Sequence, residues 1–127
     1  MVRMESDLLD VLEAAIQGRC NEIELEWSPE AAVCVVIASG GYPGTFEAGK
    51  KIAGLEQAGA MAGVKVFHAA TSKRDDVYFT SGGRVLGVTA RAADLERAVD
   101  RAYEGVSTIG FERMHYRKDI AGRALKK

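Results

Sequence analysis

The sequence predicts an α+β fold, a mainly antiparallel sheet with flanking helices, and three observations carry that reading. Three short strand-like runs, "VKVFHAAT", "DVYFTSGG" and "RVLGVTARA", follow one another with only "SKRDD" and "SGG" as separators. Strands joined that tightly pair antiparallel, because a parallel pair needs a crossover of about a dozen residues. Two segments with apolar residues at helical spacing bracket these runs. No internal repeat or low-complexity tract interrupts the chain, so residues 1–127 are read as a single domain, long enough to bury a modest core.

Taken in order, "SDLLDVLEAAIQG" sets Leu8, Leu9, Leu12, Ala15 and Ile16 on one helical stripe, with Ser6 placed to cap the start and Gly18 just past the end. "EIELEW" alternates strictly, which predicts a strand with Ile23, Leu25 and Trp27 turned to the core and glutamates turned out. After the break "SPE", the unbroken apolar run Ala31–Ala38 reads as a strand buried on both faces. Asp94 is placed to cap a further helix, in which Leu95, Ala98, Val99, Ala102 and Val106 form one stripe. Glu96, Arg97, Asp100, Arg101 and Glu104 then form its solvated face, and a basic tail, "RKDIAGRALKK", ends the chain.

The charge balance excludes some function classes. With 17 basic against 18 acidic side chains and a net charge of -1, the chain has no electrostatic footprint for nucleic acid and no basic anchor for a membrane. The longest apolar run is far shorter than the ~20 residues that cross a bilayer. The first residues lack the pattern of an export signal, so a cytoplasmic protein is expected. Cys20 and Cys34 are the only cysteines, and Cys34 lies within the apolar run, which argues against a disulfide framework. Two cysteines and two histidines without ligand spacing predict no metal site.

Directly after the apolar run, "GYPGTFEAGKK" nearly matches a phosphate-binding loop: Gly44, four residues, Gly49, Lys50, then Lys51 where a Ser or Thr should hold magnesium. Glu47 would place a carboxylate inside the anion cradle, and the following "IAGLEQAGAMAG" contains three glycines, a poor start for the helix such a loop requires. A turn-rich connection, or a loop whose backbone approaches a ligand closely, fits better.

No catalytic residue is assigned, since no acid–base pair or nucleophile set assembles. The candidate binding residues are Arg84 with Gly82, Gly83 and the backbone of Ser81, then Gly40, Gly41 and Tyr42, and His68. Arg84 opens a strand beside flexible backbone, where a guanidinium suits an anion. Tyr42 lies between glycines and a proline, a surface setting. His68 shares a strand phase with Val64 and Val66, so a histidine hydrogen-bonded within the core competes with the binding role.

"ASGGYPGTFEAGKKIAGLE", "VKVFHAAT", "SGGRVLGVTA" and "AVDRAYEGVSTIGFERMHYRKDIAGRAL", in that order, resemble the carboxyl-terminal domain of glycinamide ribonucleotide synthetase, or phosphoribosylamine-glycine ligase. The likeness runs from about Arg3 to Leu125 and includes the helix "RMESDLLDVLEAA". Ala70 stands where the family usually has glycine, and Gly87 where a cysteine is frequent.

The resemblance implies an ATP-grasp ligase of purine biosynthesis. Glycine's carboxylate takes the γ-phosphoryl group of ATP, and the amine of phosphoribosylamine then displaces phosphate. It also implies that the nucleotide-gripping domains and their magnesium or manganese ligands lie upstream of Met1. This chain would then hold no cofactor itself, pack against those catalytic domains and help bind phosphoribosylamine. In related ATP-grasp enzymes an arginine near a glycine takes the ribose 5-phosphate, and Arg84 occupies that position. A stand-alone small-molecule binding or regulatory module, and a purely structural part, are the alternatives from other classes.

Overall fold

The computed structural model describes residues 1–126; Lys127, the last residue of the basic tail, lies outside the described residues. Its elements are α1 (Leu8–Ile16), a short 3-10 turn (Cys20–Glu22), β1 (Ala31–Ala38), α2 (Leu55–Ala60), β2 (Val64–His68), β3 (Thr71–Arg74), β4 (Val77–Thr80), β5 (Arg84–Ala92), α3 (Leu95–Thr108), β6 (His115–Tyr116) and α4 (Gly122–Leu125). The main sheet has the order β2-β5-β1-β6, with every neighbouring pair antiparallel, and β3-β4 form a separate hairpin. The predicted α+β class, an antiparallel sheet flanked by helices, is what forms.

The core lies between one face of this sheet and α3. Val33, Val35 and Ile37 of β1 pair with Ala90, Val88 and Leu86 of β5, so all six share a face, and all are buried. Ala98, Ala102, Gly105 and Val106 of α3 pack down onto them. The small residues on this stripe let the helix come close: a Cβ at Gly105 would stand 3.0 Å from Val88 and 3.1 Å from Val64. Asp94 caps α3 as expected, its carboxylate accepting from the Arg97 N–H at 2.8 Å, and the five charged residues of the opposite face are exposed. Asp94→Ala is expected to destabilise the protein by about 1 kcal/mol in denaturant unfolding.

Several expectations need correction. "EIELEW" forms no strand; its first residue, Glu22, ends the 3-10 turn, and Trp27 makes only an isolated bridge with Met4. Alternation supplies a suitable face, but among the described residues the only neighbour is the short segment around Met4, too brief for a ladder, so Trp27 stays half exposed instead of entering the core. Ser6 does not cap α1: Asp7 does, accepting from the Leu9 N–H, while the Ser6 hydroxyl accepts from the Glu26 N–H. Gly18 ends the helix in left-handed conformation, as predicted. β1 is buried on one face only; Cys34 and Val36 are exposed on the other, where no helix among the described residues packs. Both cysteines are free.

The two expected hairpin connections also differ. "TSKR" forms β3 itself, turned into β4 by Asp75 and Asp76, both at positive φ. "SGG" carries the chain from that hairpin across to β5 in the main sheet. Alternation marks strand candidates but carries no record of partners, and here the partner of β5 is β2 rather than β4.

Candidate functional site

The helix-free face of the sheet is where the candidate residues meet. Phe67 of β2, Gly87 of β5 and Val36 of β1 lie in one cross-strand row on this face. Val36 is 45% exposed and Phe67 43% exposed, an apolar floor open to solvent. Together with Tyr42, His68, Gly83 and Arg84 they line a cleft of about 560 Å³.

Arg84 reaches this face through a local irregularity. Simple alternation would put residue 84 on the core side with Leu86 and Val88. The register shifts between Ile37, which pairs with Leu86, and Ala38, which pairs with Arg84. Val85 is the extra residue of this bulge and is buried, so Arg84 joins Ala38 on the open face. A bulge is the usual device for re-aiming one side chain without rebuilding a strand.

The electrostatics single out Arg84. On a neighbouring cleft of about 340 Å³ that Arg84, Tyr42 and Val36 also line, Arg117 is already held by Asp119 through bonds of 2.8 and 2.6 Å. The Arg117 pKa is accordingly raised and that of Asp119 lowered, chiefly by this hydrogen bonding. Arg84 has no carboxylate partner among the described residues. Next to it, the Gly82 carbonyl accepts from the Ser39 hydroxyl and the Gly83 carbonyl from the Ser39 N–H, both at 2.8 Å. Those bonds tie the turn before Arg84 to the end of β1.

Gly83 sets the position of Tyr42. A Cβ at residue 83 would run into the Tyr42 ring, meeting Cε2 at 2.7 Å and Cδ2 closer still. The ring therefore lies flat against bare backbone. Gly41, at φ 98°, makes the turn that delivers Tyr42, and a side chain there would strike the Thr45 carbonyl. Gly40, Gly41, Gly82 and Ser81 do not line the cleft; they shape the segments that carry Tyr42 and Arg84.

His68 keeps the phase of Val64 and Val66, but β2 is an edge strand that ends there, so the imidazole is exposed rather than enclosed in the core. Its Nδ1 lies 3.0 Å from the Thr71 hydroxyl, and its ring packs 4.5 Å from that of Tyr78. Phe67 and Val36 were not among the candidates. Phe67 had a legible signal, a bulky aromatic on the opposite phase from Val64 and Val66. Val36 had none, since every neighbour in its run is apolar.

The glycine-rich loop is committed elsewhere. Lys50 Nζ bridges Glu47 at 2.9 Å and Glu112 at 3.1 Å. The N–H groups of Gly49 and Ile52 donate to the carbonyls of Thr80 and Tyr78, and that of Lys50 to the Thr80 hydroxyl. A phosphate cradle needs such groups free, so the residues present do not fit ATP at this loop. No three His, Cys, Asp or Glu among the described residues converge to hold a metal ion.

The Lys50 bridge has a testable titration. The hydrogen bond from Lys50, then its charge and that of Arg113, hold the Glu47 carboxyl below its ordinary value, while Glu47 and Glu112 raise Lys50. The bridge is thus intact at neutral pH and is lost as pH falls through the depressed Glu47 pKa. Carboxyl-detected NMR should place the Glu47 midpoint below that of a free glutamate. Lys50→Ala should return it upward without disturbing the fold.

Comparison with known proteins identifies the family. Residues 32–123 match the family described as "Phosphoribosylglycinamide synthetase, C domain". The chain is a member of that family. It is 44% identical over 127 residues to the phosphoribosylamine–glycine ligase of Brucella melitensis, covering 100% of this chain and 30% of that protein. The chloroplastic ligase of Arabidopsis thaliana is 48% identical over 99% of this chain and 24% of its own length. The crystal structure of the Thermotoga maritima ligase superposes with a TM-score of 0.66 at 30% identity, over 85% of this chain and 27% of that one. This C domain therefore spans less than a third of these relatives. No helix among its described residues is long and apolar enough to cross a membrane.

Proposed function

We propose that this C domain forms the phosphoribosylamine-binding wall of a cytoplasmic phosphoribosylamine–glycine ligase and closes its active site. The supporting observation is the convergence of Tyr42, Gly83 and Arg84 with the apolar floor of Phe67 and Val36 on one cleft of the helix-free sheet face. In this reading the Arg84 guanidinium takes the 5-phosphate, which its planar fork can grip through two hydrogen bonds at any working pH. Tyr42, Phe67 and Val36 supply an apolar surface for one side of the ribose, while His68, whose ring turns to Thr71 and Tyr78 on the other strand phase, borders the end of the cleft without reaching into it.

Activation of glycine by ATP and magnesium belongs, in this reading, to the upstream part of the ligase, since the loop at Lys50 does not fit a nucleotide. The isolated chain is then expected to make no glycinamide ribonucleotide. What it contributes is orientation: fixing the sugar phosphate holds the amine against its electrophile, and that ordering lowers the barrier.

The direct test is titration of the chain with ribose 5-phosphate, followed by amide NMR. Shifts confined to residues 39–42, 67–70 and 82–87 are expected. Shifts centred on the Lys50 loop, or none at all, would refute the assignment.

A further inference from the structure

Two glycines precede Arg84, and glycine has more backbone freedom than any other residue. A stiffer residue at position 83 is disfavoured, because a Cβ there would run into the Tyr42 ring. The turn that aims Arg84 is stiffened from outside instead, and a single residue does it. Ser39, directly after β1, is 2% exposed; its hydroxyl donates to the Gly82 carbonyl and its N–H to the Gly83 carbonyl, both at 2.8 Å. These two carbonyls belong to the peptide planes on either side of the Gly83 Cα, so holding both holds the φ and ψ of Gly83. The other bonds of the turn lie outside that pair: Ser81 N–H donates to the Ala70 carbonyl at 2.9 Å, and Ala70 N–H to the Arg84 carbonyl at 3.1 Å. The Ser39 carbonyl in turn accepts from the Tyr42 N–H at 3.1 Å, so Tyr42 and Arg84 are both referred to one residue.

We propose that Ser39 is a positioning residue for the sugar phosphate: its hydroxyl fixes the Gly82–Gly83 peptide and thereby sets the direction in which Arg84 leaves the turn. The proposal rests on the reading of the cleft as the phosphoribosylamine wall. Ser39 does not itself line that cleft, so its effect passes through Arg84. The side chain and the backbone of Ser39 have separate tasks. Alanine at this position would remove only the bond to the Gly82 carbonyl, since the bonds to Gly83 and Tyr42 are made by the backbone. The Gly82–Gly83 plane would then be free to rotate, while the pairing of β1 with β5 and the turn that carries Tyr42 persist. A guanidinium that grips a phosphate through two parallel hydrogen bonds is sensitive to such freedom, because both N–H groups must be aimed at once and the ordering is otherwise deducted from the affinity.

Ser39→Ala should weaken ribose 5-phosphate binding to the chain by about three- to tenfold, the effect of one neutral hydrogen bond. In the Arg84→Ala background the same change should cost no more than about twofold, because the group through which the hydroxyl acts is gone. Amide order parameters of residues 82–84 should fall in the free Ser39→Ala chain while those of α3 stay unchanged, a pattern that general destabilisation does not give. Ser39→Thr retains the hydroxyl and should bind ribose 5-phosphate more tightly than Ser39→Ala, even where its extra buried methyl lowers stability. If Ser39→Ala does not fold, Ser39→Cys, similar in size and a weaker donor, must show the same directions of change. Wild-type affinity in Ser39→Ala, equal losses with and without Arg84, or an unchanged turn would each overturn the proposal. Affinity lost in Arg84→Ala but kept in Ser39→Ala removes this assignment alone, whereas wild-type affinity in Arg84→Ala removes the cleft reading and this proposal with it.

Discussion

Arg84→Ala is expected to weaken ribose 5-phosphate binding to the chain by about ten- to a hundredfold, the range set by ~1.5–3 kcal/mol for hydrogen bonds to a charged group. The fold should be unaffected, because the side chain is exposed and has no ion-pair partner among the described residues. Arg84→Lys is the informative companion. It preserves the charge and loses the planar fork, so an intermediate affinity is expected if the phosphate is held through two hydrogen bonds. Calorimetric titration decides the matter: equal affinities for the wild-type and alanine proteins would remove Arg84 from the site. Affinity that falls steeply with salt in the wild-type and not in Arg84→Ala would assign the electrostatic part of binding to this residue.

Gly83→Ala is expected to cost about 1–3 kcal/mol of stability, the usual range for forcing a methyl group into occupied space. The methyl would stand where the Tyr42 ring now lies, so the ring must swing away and the cleft loses a wall. Ribose 5-phosphate binding should weaken in the same variant although no phosphate-binding group has been removed. Tyr42→Ala vacates the space, and in the double variant the stability penalty of Gly83→Ala should largely disappear. Denaturant unfolding of all four proteins gives the coupling between the two positions. Additive losses would mean that the ring and the glycine backbone do not share that space in solution.

The sequence alone determined the elements whose evidence is local. The stripe from Leu95 to Val106, with Asp94 ahead of it, specifies α3 because both periodicity and cap chemistry are short-range. The run Ala31–Ala38 specifies β1 for the same reason. The ordered motifs around Gly40, His68 and Arg84 were also enough to point to the ligase family. Partners were the part that required the tertiary structure. "EIELEW" alternates as well as any strand here yet forms none, because only its last residues find a neighbour, the short segment around Met4, and that contact is a single bridge. The stripe of α1 is as regular as that of α3, yet it faces water while α3 faces β1 and β5. Arg84 is the sharpest case. Counting by twos along β5 sends it into the core, and a single extra residue at Val85, visible only in the pairing of β5 with β1, brings it out onto the face of Tyr42, Val36 and Phe67. Hydrophobic period is a property of one segment, whereas register, bulges and cover belong to pairs of segments, and that is why candidate residues could be singled out in the sequence but brought together only by the fold.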